Sequence, residues 1–434
     1  MLWLLACTSD EPPKTPVQAT PPSVLVVVMD TVRADALSAY GNPLRTSPQV
    51  DAVAQAGTLF EDATAPGSWT WPSHASLFTG LFPWEHGARA AQRDEGLVLT
   101  DTFLVTPMRE DIPTLAEEFS KGGWTTRAVV ANRLLSQPLG LTRGFDSVDY
   151  LERDDLVIDK AIEGLGGQQL LFVNLMHAHG PFQLSPATQH LAPQLEAKEH
   201  GPWRVEGGLS WHTQDPNAIV VHATEGLPDT TLQLAKNLYE GEVLEVDRHL
   251  NRLLAAWTAQ YPDGVVAITS DHGELFGEHG AVGHRAVVWP ELVQVPLVLV
   301  GPGVPAGVRR DDPVMLQDLH PTLLELAGLA QPTWSLLSEA PRPGAIQSAA
   351  WPQPHLADSL GGIWATGHVL YREGDDRLYV AGDERVLIRD GVEVDDPERI
   401  EELAAKAVTL EFSTGGTQLE PDAIEALRAL GYVQ

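Results

Sequence analysis

Five runs of this chain are apolar almost without interruption and rich in β-branched residues. They are Ser23–Asp30 (SVLVVVMD), Thr126–Ala131 (TRAVVA), Gln169–Met176 (QLLFVNLM), Gly264–Asp271 (GVVAITSD) and Val295–Gly303 (VPLVLVGPG). A strand with one wet face alternates apolar and polar side chains, so a run with no polar phase reads as a strand covered on both faces. Helical patterns lie between the runs. TSPQVDAVAQAG starts with Ser and Pro and stops at Gly. DIPTLAEEFSKGG has Pro near its start and ends in Gly-Gly. TTLQLAKNLYEGEVLEVDRHLNRLLAAWTAQ is one long amphipathic segment. Strands alternating with helices imply an α/β sandwich, with helices flanking a mostly parallel central sheet.

The tail changes character. GIWATGHVLYREGDDRLYVAGDERVLIRDGVEV has short runs broken at EGDD, AGDE and RDG, the pattern of antiparallel hairpins, and the helical segment PDAIEALRALGYV follows. The expected organisation is therefore a signal and tether over 1–22, the large α/β domain over 23–331, a Pro-rich connector over 332–355 and a small C-terminal α+β unit over 356–434. With 434 residues and 43% hydrophobic side chains, the chain can bury a sizeable core. A formal net charge of -31 argues against nucleic acid as a partner, because phosphates would be repelled.

Cys7 is the single cysteine, which excludes an internal disulfide. It ends the apolar run MLWLLAC and precedes the Pro/Thr-rich stretch TSDEPPKTPVQATPPS. Small residues before a lone cysteine, then a tether, resemble a bacterial lipoprotein signal whose cysteine is lipidated. That reading puts the domain in the cell envelope, anchored in the periplasm or outer membrane, with secretion as the alternative. The run is too short to span a bilayer and lacks a positive n-region.

In open α/β sheets, ligands gather at the carboxyl ends of strands. Two of the buried runs end in carboxylates, at Asp30 and at Asp271, and His272 follows directly. Two carboxylates and an imidazole at neighbouring strand ends form a candidate cage for one divalent cation. Thr70, in GSWTWPSHASLFTG, would add a hydroxyl. Pro72 sits where a first helical residue is expected, so Thr70 would lie at the positive end of the helix dipole, either as an N-cap or as a nucleophile activated by the metal. His177 and His179, in MHAHGPF, and His284 and Arg285, in EHGAVGHR, are candidates to bind anionic oxygens or protonate a leaving group. His279 reads as an ordinary loop residue. Each residue has a plainer structural reading; their joint occurrence is what argues for a site.

The stretches VLVVVMDTVRAD, WTWPSHASLFTGLFPWEHG, MHAHGPF, SDHGELFGEHGAVGH, QDLHPTLLELAGL and LRALGYV together resemble the sulfatase family of the alkaline phosphatase superfamily, in the family's order. The resemblance implies that fold, with a small C-terminal antiparallel sheet and a helix, and a metal-dependent ester-hydrolysis site. It also exposes departures. The family's C/S-x-P-x-R pattern, whose first residue matures to formylglycine, reads Thr70-Trp71-Pro72-Ser73-His74 here. Thr70 cannot be matured, and His74 stands at the arginine. Thr31 stands at the family's second leading aspartate. VANRLL (Val130 to Leu135) corresponds to a stretch that supplies a lysine and a histidine in the family.

A formylglycine hydrate expels sulfate through its second hydroxyl, which threonine lacks, so an adduct on Thr70 must be released by water. The expected activity is hydrolysis of sulfate, phosphate or phosphonate esters of a small molecule, glycan or lipid. Thr70 is the expected nucleophile, with His74, His179 and His284 as further catalytic candidates and His177 and Arg285 at the substrate. Asp30, Thr70, Asp271 and His272 would hold one divalent ion, Zn or Mn before Ca, since calcium prefers more oxygens. The alternatives are a transferase that modifies an envelope lipid or glycan, and a non-catalytic glycan-binding pseudoenzyme.

Overall fold

The computed structural model describes residues 21–91, 97–100, 103–135, 140–180, 182–183, 204–205, 208–209, 229–284, 287–352 and 366–410. Cys7, the tether up to residue 20, Arg285 and the expected last helix lie outside the described residues.

All five apolar runs are strands of one nine-stranded sheet. Its members are β1 (Val24–Met29), β2 (Thr58–Thr64), β3 (Thr125–Val130), β4 (Ser147–Tyr150), β5 (Gln169–Leu175), β6 (Val265–Thr269), β7 (Gln294–Val300), β8 (Val308–Arg310) and the short β9 (Val314–Met315). The order is β8-β2-β7-β6-β1-β5-β3-β4, with β9 beside β2. β1 lies at the centre and pairs in parallel with β6 and β5. β7 runs antiparallel to both its neighbours, β6 and β2. The sheet is thus mostly parallel, with one reversed strand.

The unbroken apolar runs have a direct cause. Val24, Val26 and Val28 point into one core and Leu25, Val27 and Met29 into another, because successive side chains leave a strand on opposite faces. The first core is closed by α2 (Thr70–Thr79), α3 (Leu115–Lys121) and α6 (Leu319–Leu326). The second is closed by α1 (Pro48–Ala56), α4 (Asp154–Glu163) and the long α5 (Asp229–Gln260). This is the three-layer α/β sandwich expected from the sequence.

A five-stranded antiparallel sheet follows: β10 (Ile346–Ala350), β11 (His368–Glu373), β12 (Asp376–Ala381), β13 (Glu384–Arg389) and β14 (Val392–Glu393). Helix α7 (Pro397–Lys406) packs Leu403 and Ile400 against Tyr371, Leu378 and Leu387. β10 arises inside the Pro-rich stretch expected to be only a connector. Its prolines flank IQSAA and leave every ladder N–H of the strand in place.

Candidate active site

The strands β1, β6, β5 and β3 deliver their carboxyl ends to one place, and the first turn of α2 closes over it. Asp30 follows β1, and Asp271 and His272 follow β6; all three are fully buried. One donor atom from each lies within 4.8 Å of the others. His272 Nε2 is 3.7 Å from Asp30 Oδ1 and 3.4 Å from Asp271 Oδ2.

The outward hydrogen bonds of these residues fix which atoms face inward. Asp30 Oδ2 accepts from the amides of Asn132 (2.8 Å) and Asn174 (3.3 Å). Asp271 Oδ1 accepts from the backbone N–H groups of His272 (3.1 Å) and Thr31 (3.4 Å). His272 Nδ1 donates to the Gly273 carbonyl at 2.9 Å, which leaves the Nε2 lone pair facing the carboxylates. The inward atoms Asp30 Oδ1, Asp271 Oδ2 and His272 Nε2 have no hydrogen-bond partner. Buried polar atoms are almost always paired, so three orphans turned toward one another fit a missing positive charge. Burial and the Asp30 charge push the Asp271 carboxyl well above its usual range, while burial holds the His272 imidazole down at about 4, and so neutral. Two carboxylates and a neutral imidazole are donors that a divalent cation takes.

Thr70 lies beside this cluster. Helix α2 begins at Thr70 itself, so Pro72 is its third residue and not its first. The residue before the helix is Trp69, and no side chain caps it. The N-cap reading of Thr70 therefore does not hold. Its Oγ1 instead accepts from Asn132 Nδ2 at 3.1 Å. Asn132 and Asn174 were not singled out from the sequence. Asn132 follows β3 by two residues, so the same strand-end argument that found Asp30 reaches it. His74 is completely buried. Its Nδ1 donates to the Thr70 carbonyl at 3.0 Å and sits 3.4 Å from Asp271 Oδ2. Burial lowers its pKa to about 4, so the group standing at the family's arginine is uncharged.

A second imidazole layer covers the cluster. The rings of His284 and His272 are 4.5 Å apart, and those of His179 and His284 are 5.3 Å apart. His284 Nδ1 pairs with Oε2 of the fully buried Glu274 at 3.1 Å, which orients the ring. Glu274 is a further residue that sequence reasoning passed over. His177 is not brought into this group. Its Nε2 pairs with Glu242 Oε2 on α5 at 2.8 Å, and although burial lowers its pKa, the bond to Glu242 and the charges of Glu242 and Asp154 outweigh that and raise it. His279 is exposed, pairs with Glu291 and stacks on Trp289.

Thr31, which stands at the family's second leading aspartate, turns its side chain away from the cluster. Its hydroxyl donates to the Ala178 carbonyl at 3.0 Å, and its backbone has a φ of 60°, which a β-branched residue adopts only under constraint. Its carbonyl accepts from the Tyr239 hydroxyl at 3.0 Å, and the Arg33 N–H reaches the same hydroxyl oxygen at 2.8 Å. These bonds, with the Thr31 N–H on Asp271, supply that constraint.

The sulfatase family model matches residues 22–329. The chain belongs to the sulfatase family. A sulfatase of Formosa agariphila is 23% identical, the match covering 76% of this chain and 73% of that one. Among solved structures, a phosphonate monoester hydrolase from Silicibacter pomeroyi superposes with a TM-score of 0.67 at 21% identity, covering 89% of this chain and 93% of that one. A structure described as bound to its substrate D-glucosamine-2-N,6-O-disulfate gives a TM-score of 0.65 at 20% identity, covering 85% and 91%. These solved structures share the fold. Family membership makes this chain an ester hydrolase, and the cluster of Asp30, Asp271 and His272 lies at the carboxyl ends of β1 and β6, where open α/β sheets gather ligands.

Proposed function

We propose that this sulfatase-family chain hydrolyses phosphate, phosphonate or sulfate esters, with unmodified Thr70 as the nucleophile. The observation that carries the reading is the Asn132 amide, which bonds both Asp30 and Thr70 and so holds the Thr70 hydroxyl against the three orphaned donor atoms. A divalent cation held by Asp30, Asp271 and His272 would lower the pKa of a neighbouring hydroxyl and offset negative charge on the ester oxygens. Zinc or manganese suits the set better than calcium. The Thr31 hydroxyl is turned away, which leaves few oxygens, and one donor is imidazole.

Thr70 Oγ attacks the phosphorus or sulfur, and its new bond forms as the bond to the ester oxygen breaks. The hydroxyl proton has to leave and the departing alcohol has to gain one. His284, oriented by Glu274, and His179 beside it supply these transfers. A water then attacks the adduct, releases the phosphate or sulfate and returns the hydroxyl to Thr70. Phosphoryl and phosphonyl esters suit this route, since a threonine adduct has no second hydroxyl with which to expel sulfate. The structure described with a disulfated glucosamine makes an anionic glycan the first organic part to test.

The test is turnover of nitrophenyl sulfate, phosphate, phosphodiester and phosphonate esters by the wild type, Thr70→Ala and Thr70→Ser, with mass spectrometry of the Thr70 peptide. Thr70→Ala should lose several orders of magnitude in rate, each tenfold equal to about 1.4 kcal/mol of barrier. Thr70→Ser should keep substantial activity. Wild-type turnover by Thr70→Ala would falsify the mechanism.

A further inference from the structure

His74 lies one helical turn after Thr70, where its side chain can fall back on the first turn of α2. The Thr70 carbonyl can only accept, so the imidazole proton is on Nδ1. The same nitrogen lies 3.4 Å from Asp271 Oδ2, a contact that is not itself a hydrogen bond. The far side of the ring is walled by Phe172, edge-on at 5.8 Å, and by Phe78 at 6.1 Å, and Nε2 has no partner. A ring enclosed in this way cannot reach a substrate.

We propose that His74 is a positioning residue: its Nδ1 proton couples the main chain that carries Thr70 to the Asp271 oxygen that faces the metal position. The inference rests on the ester-hydrolase reading above and names how that site is held together. Asp271 Oδ1 is fixed by two backbone N–H groups, but Oδ2 has no hydrogen-bond partner, and the imidazoles of His74 and His272 each lie 3.4 Å from it. His272 presents a lone pair there, so the His74 N–H, already bonded to the Thr70 carbonyl, is a positive dipole 3.4 Å from Oδ2 that favours its negative charge without a hydrogen bond to it. Outer partners of this kind commonly change metal affinity or activity by about 10–100-fold.

The test compares His74→Leu, which fills the apolar walls without a donor, with His74→Asn, whose amide nitrogen can stand near the Nδ1 position. His74→Met repeats the apolar case with a more adaptable side chain. Zinc affinity of the full chain is measured by competition with a chromophoric chelator, alongside kcat and KM on the ester that the wild type turns over. His74→Leu and His74→Met should bind zinc about 10–100-fold more weakly, and His74→Asn should recover most of the loss. The loss in rate should fall on kcat, with KM within about threefold of wild type. Equal melting of the metal-free Leu and Asn variants excludes a packing effect. Unchanged zinc affinity in both apolar variants, or Asn no better than Leu, overturns the proposal. Failure of the nucleophile reading shows separately, as turnover by Thr70→Ala, and leaves the zinc comparison intact.

Discussion

The Asn132 side chain donates one proton to Asp30 Oδ2, at 2.8 Å, and the other to Thr70 Oγ1, at 3.1 Å, so a single planar amide joins the end of β1 to the first residue of α2. Its orientation is fixed from the other side, where Asn132 Oδ1 accepts from the Leu134 N–H at 2.9 Å. The Asn132 N–H donates to Asn174 Oδ1, and Asn174 Nδ2 returns to Asp30. Thr70 and Asp30 are therefore held by neutral groups, where the family's pattern has a lysine. Charge at this site is left to the two carboxylates and to whatever cation they hold.

Removing that amide tests how much of the alignment it carries. Asn132→Ala leaves Asp30 Oδ2 with the longer Asn174 bond alone and frees the Thr70 hydroxyl to rotate. A hydrogen bond to a charged group contributes about 1.5–3 kcal/mol, so kcat should fall by roughly 10–100-fold. Asn132→Asp should fall further, because it sets a third carboxylate against Asp30. Steady-state kinetics read both, and equal rates for wild type and Asn132→Ala would leave the bridge without a catalytic part.

A second prediction concerns a carboxyl group outside the cluster. Asp247, on α5, accepts the Gln49 and Val50 N–H groups at the open start of α1. Ser47, at the N-cap position, makes no side-chain bond there. Burial outweighs these bonds and raises the Asp247 carboxyl to about 6. In the native state it therefore keeps a proton that the unfolded chain has already lost, and folding weakens as pH rises from about 4 to 6. Asp247→Asn carries a fixed neutral group. The stability of wild type relative to this variant should thus decline by about 2 kcal/mol between pH 4 and pH 7.5 in urea titrations. A difference independent of pH would mean that Asp247 titrates normally.

What the sequence disclosed, and what it hid, follow from the same physics. Runs covered on both faces announce themselves, so β1, β3, β5, β6 and β7 were legible, but an apolar run carries no direction, and the reversal of β7 was not. β2 was missed because Glu61 and Asp62 interrupt TLFEDAT; these side chains are only half-buried and pair with Arg309 and Arg372. Asp30, Asp271 and His272 were legible because charged residues at the ends of buried strands need a reason. Asn132 also stands at a strand end, but it is uncharged and so did not demand a reason; Asn174 lies within the apolar run of β5, and Glu274 lies in the loop past β6. The pair His177 and His179 misled in a different way. The turn closed by the His179 N–H on the Met176 carbonyl, at 2.9 Å, sends one ring to Glu242 and the other to His284.

The last prediction uses the orphaned atoms themselves. Without a cation, the inward oxygens of Asp30 and Asp271 crowd the His272 lone pair in a buried site, and that crowding pushes the Asp271 carboxyl well above its usual range. Uncompensated buried charge destabilises a fold, whereas a cation that binds only the native state stabilises it by about 2.7 kcal/mol at a hundred times its dissociation constant. Asp271→Asn should therefore act in opposite directions. In chelator its amide is neutral without having to take up a proton and can donate to His272 Nε2, so the variant should melt above the wild type at pH 7.5. With saturating zinc or manganese a ligand is missing, so it should melt below. Asp271→Ala should lose the metal-dependent rise as well, without the gain in chelator, since it offers no donor. Calorimetry of the three proteins with and without metal checks the inversion. If Asp271→Asn and wild type shift equally on adding metal, these three residues are not the cage.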